Sequence, residues 1–304
     1  MVRRRSAIRE SVQDRIFNFI NISILTLFGM VIVFPLLYTV SVSLLSNSEL
    51  GSRSGLILFP YKPSFDAYKL ILRGSDDIRN GYIVTVSRTM LGTALNLTFT
   101  CFLAYLLSRK DLPFRKSITL YLLITMIFNG GLIPTYLTVI STGLRNSFLV
   151  YLIPGLTSVW NTLVMRNFMM EIPDNLVESA EIDGCSQVRV LFRIIIPLSK
   201  ASLVTIGLFY AVGHWNSWFD AYLYIKNRDL FPLQLILRNI LATATLNVDK
   251  LNNVNLEELI TTMRPPTRSV QNAALVVTTL PILCVYPFVQ KHFVKGVMVG
   301  SIKG

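Results

Sequence analysis

The chain is poor in charge. Only 15% of its 304 residues are Asp, Glu, Lys or Arg, where a soluble domain carries about 25%. Hydrophobic residues make up 52%, mean hydropathy is +0.53, and the apolar residues come in long blocks, which excludes an ordinary soluble fold. Cysteine is also scarce. Cys101, Cys185 and Cys284 stand far apart and in no CxxC or Cys/His cluster, so neither a disulfide framework nor a zinc site is indicated. The sequence has no Gly-x-x-x-x-Gly-Lys-Ser/Thr phosphate loop. It shows no paired carboxylates inside an apolar run and no Ser-His-Asp order. The chain is therefore expected to have no catalytic residues, to bind no cofactor or metal of its own, and to hydrolyse no ATP. No polar face is expected along the length of any apolar stretch, which counts against a simple channel.

What charge there is leans positive, at +12. No basic, aromatic-studded polar domain is present to bind nucleic acid. The cations read instead as anchors for the cytoplasmic ends of membrane helices. Arg3, Arg4, Arg5, Arg9 and Arg15 precede an uncharged run from Ile16 to Ser48. That run exceeds the apolar core of a signal peptide, about 7–15 residues. Residues 1–15 are thus a cytoplasmic basic arm, 16–45 a first transmembrane helix, and 46–81 an external loop with a short amphipathic piece at Phe65–Leu70. Residues 82–293 hold five more helices, with a cytoplasmic loop at 166–200 and an external segment at 226–268. A cytoplasmic tail, 294–304, follows. The later spans fall near 82–107, 117–140, 147–165, 201–225 and 269–290. Each is long enough for about 30 Å of hydrocarbon, which takes about 20 residues. The loop after the second span carries Arg109, Lys110, Arg115 and Lys116, whereas the turn after the third carries only Arg145. Both termini are therefore placed in the cytoplasm. Asn129, Gly130, Gly131 and Pro134 permit a bend within the third span.

One polar island, Glu171–Leu198, interrupts the apolar blocks. Pro173 suits a first helical turn. Asp174, Glu178 and Glu181 then share one helix face, and Gly184 is a left-handed stop. Val188, Leu191, Phe192 and Ile195 form an apolar stripe closed by Pro197. The pattern reads helix, glycine turn, helix. By itself it fits either a handle for a partner protein or an ordinary capped loop between spans.

Glu178-Ser179-Ala180, Asp183-Gly184, Phe192 and Pro197-Leu198 resemble the EAA loop of ABC importer permeases, with Ser179 and Cys185 standing where alanine is usual or common. Ala104-Tyr105-Leu106-Leu107-Ser108-Arg109, Gly131-Leu132-Ile133-Pro134-Thr135-Tyr136, His214-Trp215-Asn216 and the Phe293-Val294-Lys295-Gly296 ending are similar to further segments of the carbohydrate permeases. The resemblance covers nearly the whole chain. It is nearest to the maltose-type permeases, and among them to importers of oligosaccharides from plant or algal polysaccharides. It implies an all-α polytopic protein of the bacterial cytoplasmic membrane, with six transmembrane helices in the type I importer permease (MetI-like) fold. Its implied partners are a second permease in a heterodimer, two ATPase subunits that carry ATP and Mg, an extracellular sugar-binding lipoprotein, and an oligosaccharide substrate. Within that resemblance Glu178, Ser179, Ala180, Asp183, Gly184 and Cys185 belong to the coupling helix that docks on the ATPase. Gly296, Gly300 and Lys303 of the tail are further ATPase contacts.

A sugar path needs ring faces for stacking and amides or hydroxyls for hydrogen bonds. Tyr210, Trp215, Asn216 and Trp218 offer both, with Asn129 facing them from the third span. The same aromatics also fit an outer interfacial belt. The competing class is an ion-gradient-driven secondary sugar transporter, for which His214 and Asp220 are the candidate buried ionisable groups. No inverted repeat supports it.

Overall fold

The computed structural model describes residues 11–46, 49, 57–73, 76–250 and 268–301. The chain divides into two compact units, Met1–Ile71 with Val254–Val276, and Leu72–Asn253 with Val277–Gly304. The described residues form helices and no strand.

In the first unit, α1 runs Val12–Ser43. Ser11 and Asp14 close a capping box at its start, the Asp14 carboxylate accepting from the Ser11 amide at 3.0 Å. Beyond that polar start its apolar side chains are exposed all round, from Phe17 at 68% to Leu37 at 58%. A helix apolar on every side and buried on none is built for lipid. Only Ser41, Val42 and Ser43 are buried. There the Ser41 hydroxyl donates to the Leu58 carbonyl at 2.5 Å, and the Ser43 and Tyr68 hydroxyls pair at 2.6 Å. The amphipathic piece expected at Phe65–Leu70 is the helix α2, Asp66–Arg73.

The second unit is arranged about α3, Asp76–Ser108. Around it in chain order come α4 (Arg115–Ile127), α5 (Leu132–Ser141), a 3-10 turn Phe148–Tyr151, α6 (Val159–Met170), α7 (Asp174–Ile182) and α8 (Gln187–Leu198). Then follow α9 (Lys200–Asn216), α10 (Phe219–Tyr224), a 3-10 turn Arg228–Leu230 and α11 (Leu233–Lys250). The last helix, α12, runs Arg268–Ser301. Among the described residues two helices are long and apolar enough to cross a membrane, and two bent pairs raise that number to four.

Three of the expected spans are not single helices. The third bends by 111° between α4 and α5. Gly131 at the bend has φ +85°, and its amide is held by the Asn129 carboxamide oxygen at 2.9 Å. The bend anticipated from Asn129 and the glycines is thus far sharper than a kink. The fourth stretch gives only the 3-10 turn and an irregular run before α6, because Pro154 lacks an amide hydrogen. The fifth ends at Asn216, breaks at Ser217–Trp218, and resumes as α10. Of the tail residues, Gly296 and Gly300 fall within α12, and Lys303 lies outside the described residues.

Breaks of this kind leave backbone groups without partners, and α3 supplies the partners. One face of it carries Thr85, Arg88, Asn96, Thr100 and Ala104, each 0–1% exposed, with Gly92 in register. These positions recur every three or four residues. The Thr85 hydroxyl accepts from the Leu233 amide at 2.9 Å, capping α11. The Asn96 carboxamide nitrogen donates to the carbonyls of Gly155 and Leu156, at 2.5 and 2.8 Å, in the irregular run. Its oxygen meets His214 Nε2 at 2.7 Å, so Nε2 carries a hydrogen. Gly92 is required there, because a Cβ would fall onto the His214 ring. The Thr100 and Tyr210 hydroxyls pair at 2.7 Å, and the Tyr210 oxygen also accepts from the Ser158 amide at 3.2 Å. No polar face along the length of an apolar stretch was expected; α3 carries one over part of its length, from Thr85 to Thr100. Its opposite face, with Ile83, Met90, Leu91 and Phe99, is exposed and apolar.

Replacing Asn96 by Leu should leave the carbonyls of Gly155 and Leu156, and His214, without their partner, at a cost of about 1–3 kcal/mol. Thr98→Ala, which loses only a bond to its own helix turn, should change stability by less than about 0.5 kcal/mol. Detergent-resolved thermal unfolding of the two variants measures the difference, and equal stabilities would contradict this account of α3.

Candidate functional site

Two regions of the second unit gather polar groups. The first is the island α7–α8. The α7 helix ends in a Schellman turn: the Cys185 amide donates to the Ala180 carbonyl at 2.9 Å and the Gly184 amide to the Glu181 carbonyl at 3.0 Å. Gly184 has φ +79°, a conformation that β-branched side chains resist. Ser186 then caps α8, its hydroxyl accepting from the Arg189 amide at 3.4 Å. Within α8, residues Leu191–Ile195 widen into a π turn in which the Ile196 amide reaches back to the Leu191 carbonyl. Pro197, with no amide hydrogen, lies just beyond. The chain then turns by 87° into α9.

The inner face of α7 is buried. Val177 and Ala180 pack with Tyr105, Met169, Leu191 and Ile195. Along its edge two acids are tied to the loop that follows α3. Glu181 pairs with Arg109 at 2.9 Å and Asp174 with Lys110 at 2.6 Å. Gln187 Nε2 donates to Glu181 at 2.7 Å, and its amide oxygen accepts from the Tyr105 hydroxyl at 2.6 Å. Arg109 also binds Asp111 at 3.0 Å, and that hydrogen bond holds the Asp111 carboxyl below its ordinary range. Glu178 differs from its two helix-face neighbours. It is exposed, lines a cavity of about 280 Å³ with these residues, and has no ion-pair partner among the described residues. Beside it on the outward side lie Ser179, whose hydroxyl is turned back to the Asn175 carbonyl at 2.7 Å, and Ile182, 86% exposed. The sequence pattern put all three acids on one face but could not tell the tethered pair from the free one.

The second region is a cavity of about 680 Å³. Of the expected path residues it is lined by Asn129 and Tyr210, but not by Trp215, Asn216 or Trp218. Trp218 lies beneath the Arg238 guanidinium, 3.8 Å from its ring centroid, and meets Phe219 and Tyr222 edge-on. The Trp215 ring nitrogen is buried with no hydrogen bond, and Asn216 is exposed. The lining adds Arg88, Asn96, Thr135, Tyr151, His214, Asp220 and Tyr224.

Arg88 and Asp220 were not expected as a pair. Arg88, 1% exposed, bonds Asp220 at 2.5 Å, donates to the Ser217 carbonyl at 3.3 Å, and lies over the Tyr151 ring at 4.3 Å. The Ser217 hydroxyl and the Ala221 amide complete the carboxylate's partners, at 3.0 and 2.8 Å. The pair therefore joins α3 to the gap between α9 and α10. A lone Arg within an apolar run was the available signal, and an uncompensated one is too costly to stand. Its partner is 132 residues away, so only the fold reveals it.

No protein-family model matches the chain. It is 38% identical over 290 residues to LplC of Bacillus subtilis, covering 95% of this chain and 96% of that one. It is 36% identical over 293 residues to the polygalacturonan/rhamnogalacturonan transport system permease protein YtcP of the same organism, covering 96% and 100%. A solved bacterial ABC transporter involved in the import of the acidic polysaccharide alginate superposes with a TM-score of 0.82 at 30% identity, over 94% of this chain and all of that one. The described residues are helical without strands, and the relatives whose names state a role are transport-system permeases rather than enzymes. The chain belongs to the carbohydrate permeases of ABC importers.

The tether between Glu181 and Arg109 is partly exposed, with side chains 33% and 23% accessible. A double-mutant cycle with Arg109→Gln and Glu181→Gln, read by thermal unfolding, should give a coupling of about 0.5–1 kcal/mol. A coupling of zero would mean that α7 is held by its apolar face alone.

Proposed function

We propose that this chain is one of two different permease subunits that together form the path for an oligosaccharide delivered by an extracellular binding protein. The chain crosses the membrane six times, through α1, α3, the bent pair α4–α5, the segment 147–170, the pair α9–α10, and α12. Both termini lie in the cytoplasm. ATP and Mg bind to separate ATPase subunits, one of which receives α7 in a surface cleft, with the tail around Gly296, Gly300 and Lys303 beside it. The observation that carries this reading is the state of α7. Its inner face is packed, Asp174 and Glu181 are tethered, and Glu178 is exposed, with no ion-pair partner among the described residues, near an exposed Ile182. Such a rigidly mounted helix suits the transmission of a closing motion, since packed elements move as bodies. Glu178, Ser179, Asp183 and Cys185 are its contact surface, Ala180 is its buried footing, and Gly184 sets its angle. Oligosaccharides are the substrate class. The relatives named for polygalacturonan/rhamnogalacturonan and for alginate make fragments of such polysaccharides the first to try. Asn129 and Tyr210 are the path residues, and Trp218 with Arg238 serves the outer end.

The buried Arg88–Asp220 pair and His214 are the features on which an ion-gradient carrier would rely. Here each is engaged at a helix break, which favours a structural role.

Leaving Glu178 or its counter-charge unpaired in a buried contact costs about 2–5 kcal/mol. Glu178→Ala and Gly184→Val should insert normally, lose ATPase subunits on purification, and lower vesicle uptake of oligosaccharide by roughly tenfold or more. Normal ATP-driven uptake by Gly184→Val, or uptake indifferent to ATP and driven by an ion gradient, contradicts the proposal. Single-cysteine labelling checks the topology: positions 112 and 250 should react from opposite sides of the membrane, and reaction from one side rejects six spans.

A further inference from the structure

A third cavity, also about 680 Å³, lies where α4 leaves the loop after α3. Lys110, Arg115, Lys116 and Arg166 line it, and no acid does. Asp111 is held by Arg109, and Asp174 pairs with Lys110, which leaves Arg115, Lys116 and Arg166 as the lining cations with no acid partner among the described residues. Arg115 and Arg166 are half-buried and close enough to repel one another. Arg166 donates to the Leu107 carbonyl at 3.1 Å, and the polar contact of Arg115 is the Met170 sulfur at 3.3 Å. Lys116 is exposed and has no ion-pair partner among the described residues. Phe114, at the N-cap of α4 with φ +57°, makes no side-chain cap to the first turn.

The other wall of the cavity is apolar. Leu112, Leu120 and Leu123 line it, with Phe114 81% exposed and Leu120 58% exposed. After Lys116 the chain carries no charge until Arg145. The cations therefore stand where the apolar part of α4 begins, at the depth of lipid headgroups, and the leucines continue into the depth of acyl chains. A free anion has no use for that apolar wall, whereas a phospholipid uses both walls at once.

We propose that this cavity binds one anionic phospholipid. The headgroup phosphate lies among Arg115, Lys116 and Arg166, and an acyl chain lies along Leu120 and Leu123. Convergent basic side chains between membrane helices recognise anionic headgroups in this way. Lys110 belongs both to this cluster and to the tether of α7 through Asp174. The lipid site thus adjoins the island α7–α8, and the inference stands whether or not that island docks an ATPase.

The test is native mass spectrometry of the chain, purified with the subunits that accompany it and titrated with phosphatidylglycerol or phosphatidylcholine. Wild type should retain one phosphatidylglycerol and discriminate against phosphatidylcholine. Each cation near an anionic headgroup is worth about fivefold in binding, so Arg115→Gln with Lys116→Gln should weaken retention roughly twenty-fivefold. The exposed Lys116→Gln alone, which threatens no packing, should weaken it about fivefold. Arg145→Gln and Arg228→Gln, remote exposed cations, should leave it unchanged. Equal retention by the Lys116 variant and wild type, equal retention of the two lipids, or displacement of phosphatidylglycerol by millimolar inorganic phosphate would each overturn the proposal.

Discussion

Backbone amides and carbonyls have no water to turn to inside hydrocarbon, so every break in a membrane helix must find its partner within the protein. Among the described residues, three of the interruptions between helices of the second unit lie at 128–131, 152–158 and 217–218. The first is closed locally, by Asn129 on the Gly131 amide. The other two are closed from α3, by Asn96 on the carbonyls of Gly155 and Leu156 and by Arg88 on that of Ser217. A neutral amide suffices for the former. At the latter the guanidinium also needs a counter-charge, and Asp220 supplies it. Continuous helices would have needed none of this. Two of the breaks also supply polar lining to the cavity, through Asn129 and Ser217, beside Arg88 and Asn96 of α3.

The same helix organises the other end of the unit by different means. Below Thr100 the buried face of α3 turns apolar, with Cys101, Ala104 and Tyr105, and the inner faces of α6, α7 and α8 close over it. Tyr105 ends this stretch with its hydroxyl on Gln187, and Arg109 follows with its salt bridge to Glu181. The polar end of α3 thus mends gaps around a cavity, and its apolar end holds α7 against the body of the unit. Both ends belong to one continuous helix. The helix thus meets α7 at one end and lines the cavity at the other.

Much of this was legible in the order of residues. The glycine turn at Gly184 follows from local chemistry, since positive φ and a Schellman pair are decided within six residues. The bend near Asn129 follows likewise from a short polar, glycine-rich stretch. The aromatic cluster was only partly legible. Tyr210 lines the cavity, but Trp215, Asn216 and Trp218 do not, because the chain breaks at Ser217 and the register of one helical face does not carry across a break. Arg88 and Asn96 were missed. In a window of sequence they interrupt an apolar run singly, and the groups they satisfy lie far along the chain.

The sequence by itself determined the solvent this protein is made for, the local turns at Gly184 and near Asn129, and its resemblance to a permease, because hydropathy, capping and glycine turns act over a few residues. Tertiary structure alone decided which acids are tethered and which is free, which aromatics face the cavity, and which buried polar groups pair. Those outcomes depend on groups such as Arg88 and Asp220, or Asn96 and the carbonyl of Gly155. They are distant in sequence, and the low dielectric of the interior makes each costly until the fold brings its partner within hydrogen-bond reach.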